Sequence, residues 1–173
     1  LRVGPAADFA TDVPALIDRE AHLRVGDALA RGAAEGRIAA QQPDVPAEGW
    51  FQPPTVVAEL PETSALTREE IFGPVLTLER VRDIAHALDL VAAPRFALTG
   101  GVFTRNPRTV RRVLERSPVG NLYVNRPITG AIVLPAYGAD RFSGAVSDAS
   151  DEDMETFVDD ELGGAIAVAR KLS

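Results

Sequence analysis

The side chains that most often perform covalent chemistry are scarce in this sequence. No cysteine occurs among its 173 residues, which excludes a thiolate nucleophile, a disulfide and a thiolate-bound metal from the chain. The single lysine, Lys171, stands near the end, a poor position for a buried Schiff-base amine. His22 and His86 are the only imidazoles, and both fall in stretches of helical periodicity. They read as helix surface rather than as general bases. Arg108, Arg111, Arg112 and Arg116 share the outer face of another helical stretch and read as solvated surface, with an anion site as the sharper alternative. Residues 148–161 carry eight carboxylates and no base, a run that reads as the solvated side of a helix. By residue chemistry alone the chain holds no complete catalytic constellation.

Composition narrows the class further. A chain of 173 residues, 46% hydrophobic, predicts one domain with one core. A net charge of −7 and a pI near 4.9 argue against partners that need a basic surface, such as nucleic acid or an anionic membrane. No apolar run approaches the ~20 residues that span a bilayer, and Leu1-Arg2-Val3-Gly4 does not open a signal peptide. The expectation is a soluble cytoplasmic protein without a metal. No Met opens the sequence, so it need not begin where its gene does.

The elements that must hold these side chains follow from spacing. Asp12 followed by Pro14 is a helix-start signal, and Ile17, Ala21, Val25, Ala28 and Leu29 recur at helical intervals until Gly32 and Gly36. Residues 40–53, with Pro43, Pro46, Gly49 and Pro53, read as a surface loop anchored by Trp50 and Phe51. Strands are predicted at 55–58 and 75–78, with a turn around Pro61 between them. Asp83 caps a helix with Ile84, Ala87, Leu88 and Val91 on one face, closed by Pro94. A strand over 97–104 is interrupted by Gly100-Gly101. Asn106 caps and Pro107 opens a helix with Val110, Val113 and Leu114 inward, and 121–125 is a further strand. Ser150 and Asp153 have capping-box spacing ahead of a helix that carries Met154, Phe157 and Val158 on one face. Residues 165–169 read as a terminal strand whose free edge suits another subunit. This alternation predicts an α/β fold: a mostly parallel sheet with flanking helices, then a C-terminal acidic helix and a terminal strand.

Several of these segments resemble one family in its order. Glu69-Glu70-Ile71-Phe72-Gly73-Pro74-Val75 resembles the E-E-I-F-G-P-V signature of the aldehyde dehydrogenases. Leu1-Arg2-Val3-Gly4, Phe51-Gln52-Pro53-Pro54-Thr55, Leu98-Thr99-Gly100-Gly101-Val102-Phe103 and Val119-Gly120-Asn121-Leu122-Tyr123-Val124-Asn125-Arg126 fit in register, so the resemblance runs over residues 1 to about 144. Gly120 through Arg126, followed by Ile128-Thr129-Gly130-Ala131, is similar to the Δ1-pyrroline-5-carboxylate dehydrogenase branch, including the dehydrogenase half of bifunctional proline-utilisation enzymes.

The resemblance implies oxidation of L-glutamate γ-semialdehyde to glutamate with NAD. In the family a thiolate attacks the aldehyde, a hydride passes to NAD and water releases the acid. It further implies that residues 1–147 are part of the catalytic domain and 148–173 an acidic helix and tail. The nucleophilic cysteine and an N-terminal cofactor domain would then lie upstream of Leu1. A homo-oligomer and a fused or partnering proline dehydrogenase are also implied. Glu70 corresponds to the carboxylate that accepts hydrogen bonds from the nicotinamide-ribose hydroxyls, and Phe72 to the ring beside the nicotinamide. Both are expected on a loop at the rim of the sheet, facing a cleft. Gly130 and Ala131 correspond to the loop whose N–H groups hold the substrate α-carboxylate, and Tyr137 stands where the family has the Phe that walls the aldehyde pocket. The structural alternatives are a turn capped by Glu70, a core ring at Phe72 and an ordinary turn at Gly130-Ala131. The sequence departs from the family at Val13-Pro14-Ala15, at Tyr137 and in the acidic stretch after Ser143-Gly144. The last two favour a second reading, a non-catalytic aldehyde-dehydrogenase-like module for assembly or tunnel shielding. On either reading the chain alone is expected to be inactive.

Overall fold

In the computed structural model, residues 1–126 are described, together with the backbone of strands 157–159 and 166–171. Helix α1 (Arg19–Glu35) starts at a different aspartate from the expected one. Asp18 Oδ1 accepts the Ala21 N–H at 2.7 Å, which satisfies one of the orphan donors of the first turn. Asp12 is engaged elsewhere, its carboxylate accepting the Arg2 N–H at 2.6 Å beside a Val3–Val13 bridge. Residues 12–17 are therefore outside the helix, and Ile17 is 90% exposed rather than on the buried face. Val25 and Ala28 are fully buried, and Gly36 closes the helix through its N–H to the Gly32 carbonyl.

Strand β1 (Arg37–Gln41) occupies residues whose end was read as loop, and it pairs antiparallel with β2 (Thr55–Ala58). Trp50 anchors the intervening loop through its carbonyl, which accepts the Leu16 N–H at 2.8 Å, and through its ring against His22. After a 3-10 turn at Ala65–Thr67, β3 (Val75–Val81) runs parallel to β2. Helix α2 (Ile84–Ala92) matches the sequence reading residue for residue: Asp83 caps it, and Ile84, Ala87, Leu88 and Val91 are buried. Strand β4 (Thr99–Phe103) passes straight through Gly100 and Gly101. Helix α3 (Pro107–Arg116) takes its cap from Asn106, but its inner face is Thr109 and Val113, with Val110 half-buried. Leu114 is 62% exposed, a correction that follows from its place one residue, ~100° of turn, beyond Val113. Strand β5 (Asn121–Val124) pairs parallel with β4.

The last two strands change the expected plan. β6 (Phe157–Asp159) is a strand where an acidic helix was expected, its backbone drawn into a parallel ladder with β4. The rest of that expected helix lies outside the described residues. β7 (Ile166–Lys171) is the anticipated terminal strand, but it lies inside the sheet, antiparallel to both β3 and β6. The sheet order is β1-β2-β3-β7-β6-β4-β5. The α/β class holds, while only three of the six pairings are parallel, so the sheet is mixed.

Two apolar clusters pack the helices on it. Val25 and Ala28 of α1 meet Val57, Leu66, Ile71 and Val75 in one. Ile84, Ala87, Leu88 and Val91 of α2 meet Val81, Val102 and Val113 in the other. Val75 and Val81 are an even number of residues apart on β3, so both clusters use the same face of that strand.

Two outcomes follow. Leu66→Ala should lower the unfolding free energy by ~2–5 kcal/mol in urea, whereas Leu114→Ala should stay within ~0.5 kcal/mol. Asp83 is held below the usual carboxylate range chiefly by the hydrogen bond from the His86 N–H, which outweighs the opposing desolvation, with the Ala85 N–H and Arg82 adding to the lowering. Its folded value is depressed, so its stabilisation is present above the ordinary carboxylate range and lost as pH falls through the lowered value. Asp83→Asn should flatten that part of the stability–pH curve.

Candidate functional site

The segment that carries Glu70 and Phe72 is a short irregular loop between the 3-10 turn and β3. Its backbone is pinned at three points. Ile71 is buried among the α1 cluster, and its carbonyl accepts a hydrogen bond from Arg24 Nε at 3.2 Å. Gly73 passes so close to α1 that a Cβ there would overlap Val25 Cγ2. The Pro74 carbonyl accepts the Thr55 N–H at 2.9 Å, which joins the loop to the start of β2. The loop thus stands at the rim of the sheet, where β2 and β3 begin.

Pinning both neighbours leaves Phe72 little choice. It sits at φ +52° in the left-handed region, which costs a bulky residue on the order of 1–2 kcal/mol. The ring is 60% exposed, so no core packing offsets that strain. Backbone strain of this kind persists where the surrounding structure over-determines it, and it clusters at functional sites. Glu70 is half-buried, and among the described residues its carboxylate has neither a hydrogen-bond nor an ion-pair partner. It therefore caps no local turn, and Phe72 is no core ring. One groove runs beside His86 on α2 and another along α3, and neither includes Glu70 or Phe72.

Both histidines make contacts that join elements of the fold. His22 lies 5.9 Å from the Trp50 ring, and its carbonyl accepts Gln52 Nε2 at 3.0 Å. His86 Nε2 is 3.4 Å from Glu62, which ties the turn before β3 to α2. Among the described residues no group of three or more His, Cys, Asp or Glu could hold a metal.

Gly130, Ala131 and Tyr137 lie outside the described residues. The approach to them is described, and it contains a residue that sequence reading did not single out. Asn125 directly follows β5 at φ +54°, with its N–H still donating to the Val102 carbonyl at 2.8 Å. Its side chain then grips Thr104 from both sides: Oδ1 accepts the Thr104 N–H at 2.7 Å, and Nδ2 donates to the Thr104 carbonyl at 2.9 Å. The available signal was an Asn directly after a strand, the residue type besides Gly that tolerates this backbone best. Arg126 follows, its guanidinium 5.4 Å from the centre of the Tyr123 ring.

Comparison with known proteins gives one answer. The profile of the Aldehyde dehydrogenase family matches residues 1–160. A 1-pyrroline-5-carboxylate dehydrogenase of Geobacillus sp. (strain WCH70) is 36% identical over 154 residues, 88% of this chain and 30% of the relative. The protein of that name from Bacillus cytotoxicus is 38% identical over the same shares. Among solved structures, 1-pyrroline-5-carboxylate dehydrogenase from Thermus with bound NAD superposes at a TM-score of 0.71 and 38% identity, covering 77% of this chain and 26% of that one. Proline utilization A from Bdellovibrio bacteriovorus gives 0.73 and 39%, covering 76% and 14%. The chain thus spans about a third of the length of the curated relatives it matches.

Strain at Phe72 can be separated from packing at its neighbour. Phe72→Gly should keep or raise the thermal midpoint, and Phe72→Val should lower it, since a β-branched residue tolerates positive φ least. Gly73→Ala should cost ~1–3 kcal/mol through overlap with Val25.

Proposed function

Because the chain belongs to the aldehyde dehydrogenase family, we propose that it is the C-terminal part of an NAD-dependent enzyme that oxidises L-glutamate γ-semialdehyde, the open form of Δ1-pyrroline-5-carboxylate, to glutamate in proline catabolism. The observation that carries the reading is the pair on the pinned loop: a half-buried carboxylate at Glu70, without a partner among the described residues, next to a strained, solvent-facing ring at Phe72. A carboxylate without a partner suits two ribose hydroxyl donors, because an ionised acceptor makes hydrogen bonds roughly twice as strong as a neutral one. An open aromatic face beside it suits a flat heteroaromatic ring.

In this reading bound NAD supplies the hydride acceptor. Glu70 fixes the ribose, Phe72 bounds the ring, and the Val25–Gly73 contact keeps both from drifting as the cofactor binds. Gly130 and Ala131 hold the substrate α-carboxylate with backbone N–H groups, a task for which small side chains permit close approach, and Tyr137 lines the aldehyde pocket. Residues 1–147 belong to the catalytic domain, and the segment 148–173 contributes β6 and β7 to its sheet. The nucleophile comes from a cysteine outside this chain, since the chain has none. A cytoplasmic homo-oligomer, with a proline dehydrogenase fused or in partnership, completes the proposal. The likeness to a proline utilization A structure supports that last part. Among the described residues no helix is long and apolar enough to cross a membrane.

The purified chain should form no NADH from glutamate semialdehyde alone and should do so when mixed with an N-terminal fragment that carries the cysteine. Turnover by the chain alone, or none in a mixture that demonstrably associates, would overturn the proposal. In the productive mixture Glu70→Gln should raise KM for NAD by about tenfold or more, the loss of one charge-assisted hydrogen bond, with the fold intact.

A further inference from the structure

Three arginines on the outer face of α3 are left uncompensated in a chain that holds more acid than base. At ~100° of turn per residue, Arg108, Arg111, Arg112 and Glu115 share about 100° of the helix circumference, opposite the buried Thr109 and Val113. Arg108 meets Arg111 and Arg112 at the i+3 and i+4 spacings where like charges repel. Relief within the helix is not taken. Glu115 stands at i+4 from Arg111 and i+3 from Arg112, yet among the described residues it forms an ion pair with neither. Arg116, by contrast, meets Asp89 of α2 at 2.8 Å. The guanidinium groups of Arg108, Arg111 and Arg112 have no partner among the described residues. With Pro107 these four side chains line an open groove of about 370 Å³, which includes no residue of the Glu70–Phe72 loop.

Size and charge together select the occupant. A groove of this volume takes a small molecule rather than an element of a folded partner. Along the helix axis Arg111 lies ~4.5 Å and Arg112 ~6 Å beyond Arg108, at 1.5 Å per residue, so the cations are closely spaced. Carboxylates on one side of an extended peptide are ~6.6 Å apart, and each carries a single charge. Phosphoryl groups joined through a bridging oxygen are closer together. Each also offers several acceptor oxygens, which a guanidinium fork can meet in pairs. Glu115 on the same face sharpens the choice, because a weakly charged anion loses to one carboxylate what it gains from the arginines. We propose that the outer face of α3 binds a polyphosphate, a chain of three or more phosphoryl groups, either free or carried by a nucleoside. The contact is charge-assisted and solvent-exposed, so it weakens as salt screens it.

Calorimetric titration of the purified chain with tripolyphosphate at low salt tests the assignment. A single site per chain is expected, about tenfold or more tighter than for orthophosphate or sulfate at matched ionic strength. It should be lost in ~1 M NaCl, where the Debye length is ~3 Å. Arg111→Gln combined with Arg112→Gln should weaken binding about tenfold, since each exposed ion pair contributes up to about fivefold. The melting midpoint of that variant should be unchanged or raised, because like-charge pairs are removed. Glu115→Gln should tighten binding. Arg31→Gln, at an exposed arginine of α1, should leave it unchanged, and so should Glu70→Gln, which separates this site from the proposed cofactor loop. Binding of ATP as well as tripolyphosphate, with adenosine silent, marks a nucleoside-borne ligand; exclusion of ATP marks the free polymer. No binding, binding matched by orthophosphate or adenosine, an equal loss from Arg31→Gln, or binding that survives the double substitution on α3 would each overturn the proposal.

Discussion

The site-bearing loop depends on the distance of closest approach between α1 and the chain entering β3. Gly73 lies against Val25 with no room for a side chain, and about two turns further along α1 a Cβ on Gly32 would come within 3.1 Å of Val57 Cγ2. These contacts seat the helix on β2 and β3, bury Ile71 and bring Arg24 to its carbonyl. Once Ile71 and Gly73 are fixed, the residue between them takes whatever backbone angles join them. Phe72 is left-handed for this reason, and the conformation is imposed by packing on either side of it rather than chosen by the residue.

The core is organised around the same strand. Thr77 lies on the shared face of β3 between Val75 of one cluster and Val81 of the other, fully buried, and its Oγ1 has no hydrogen-bond partner among the described residues. An unsatisfied buried hydroxyl costs on the order of 1–3 kcal/mol. The α1 layer and the α2–α3 layer are therefore two apolar bodies joined through a polar position. Position 77 is the point where the loop's support could be loosened without touching either cluster.

How much of this was legible in the sequence varies by element, for identifiable reasons. Helix α2 was readable in full because its cap, its period and its following proline agree, and local agreement of this kind leaves little for tertiary structure to decide. The start of α1 was not, because Asp12 and Asp18 are both competent caps and the choice fell to a contact with Arg2. Strand β1 has no alternating pattern to read, since Arg37-Ile38-Ala39-Ala40-Gln41 exists as a strand only by pairing with β2. Phe157 and Val158 stand at helical spacing from Met154, but the ladder to β4 and β7 overrides it. At the site, the order of residues from Glu69 to Pro74 was legible by resemblance, while the backbone of Phe72 was not, since phenylalanine gives no local hint of positive φ. The grip of Asn125 on Thr104 joins residues 21 apart in sequence, beyond any local pattern.

The place of β7 in the sheet has a consequence for how the molecule is made. It is the last of the described strands, yet it is the strand that bonds to β3, while β6 links it to β4. During synthesis the β1–β3 ribbon and the β4–β5 ribbon emerge first, and each then has one edge whose backbone donors and acceptors await a partner. At ~5–20 residues per second, several seconds separate the emergence of β3 from that of β7. Nascent chains are therefore exposed to edge-to-edge association over that interval, and the chance of misassembly depends on the rate of translation as well as on the stability of the finished sheet.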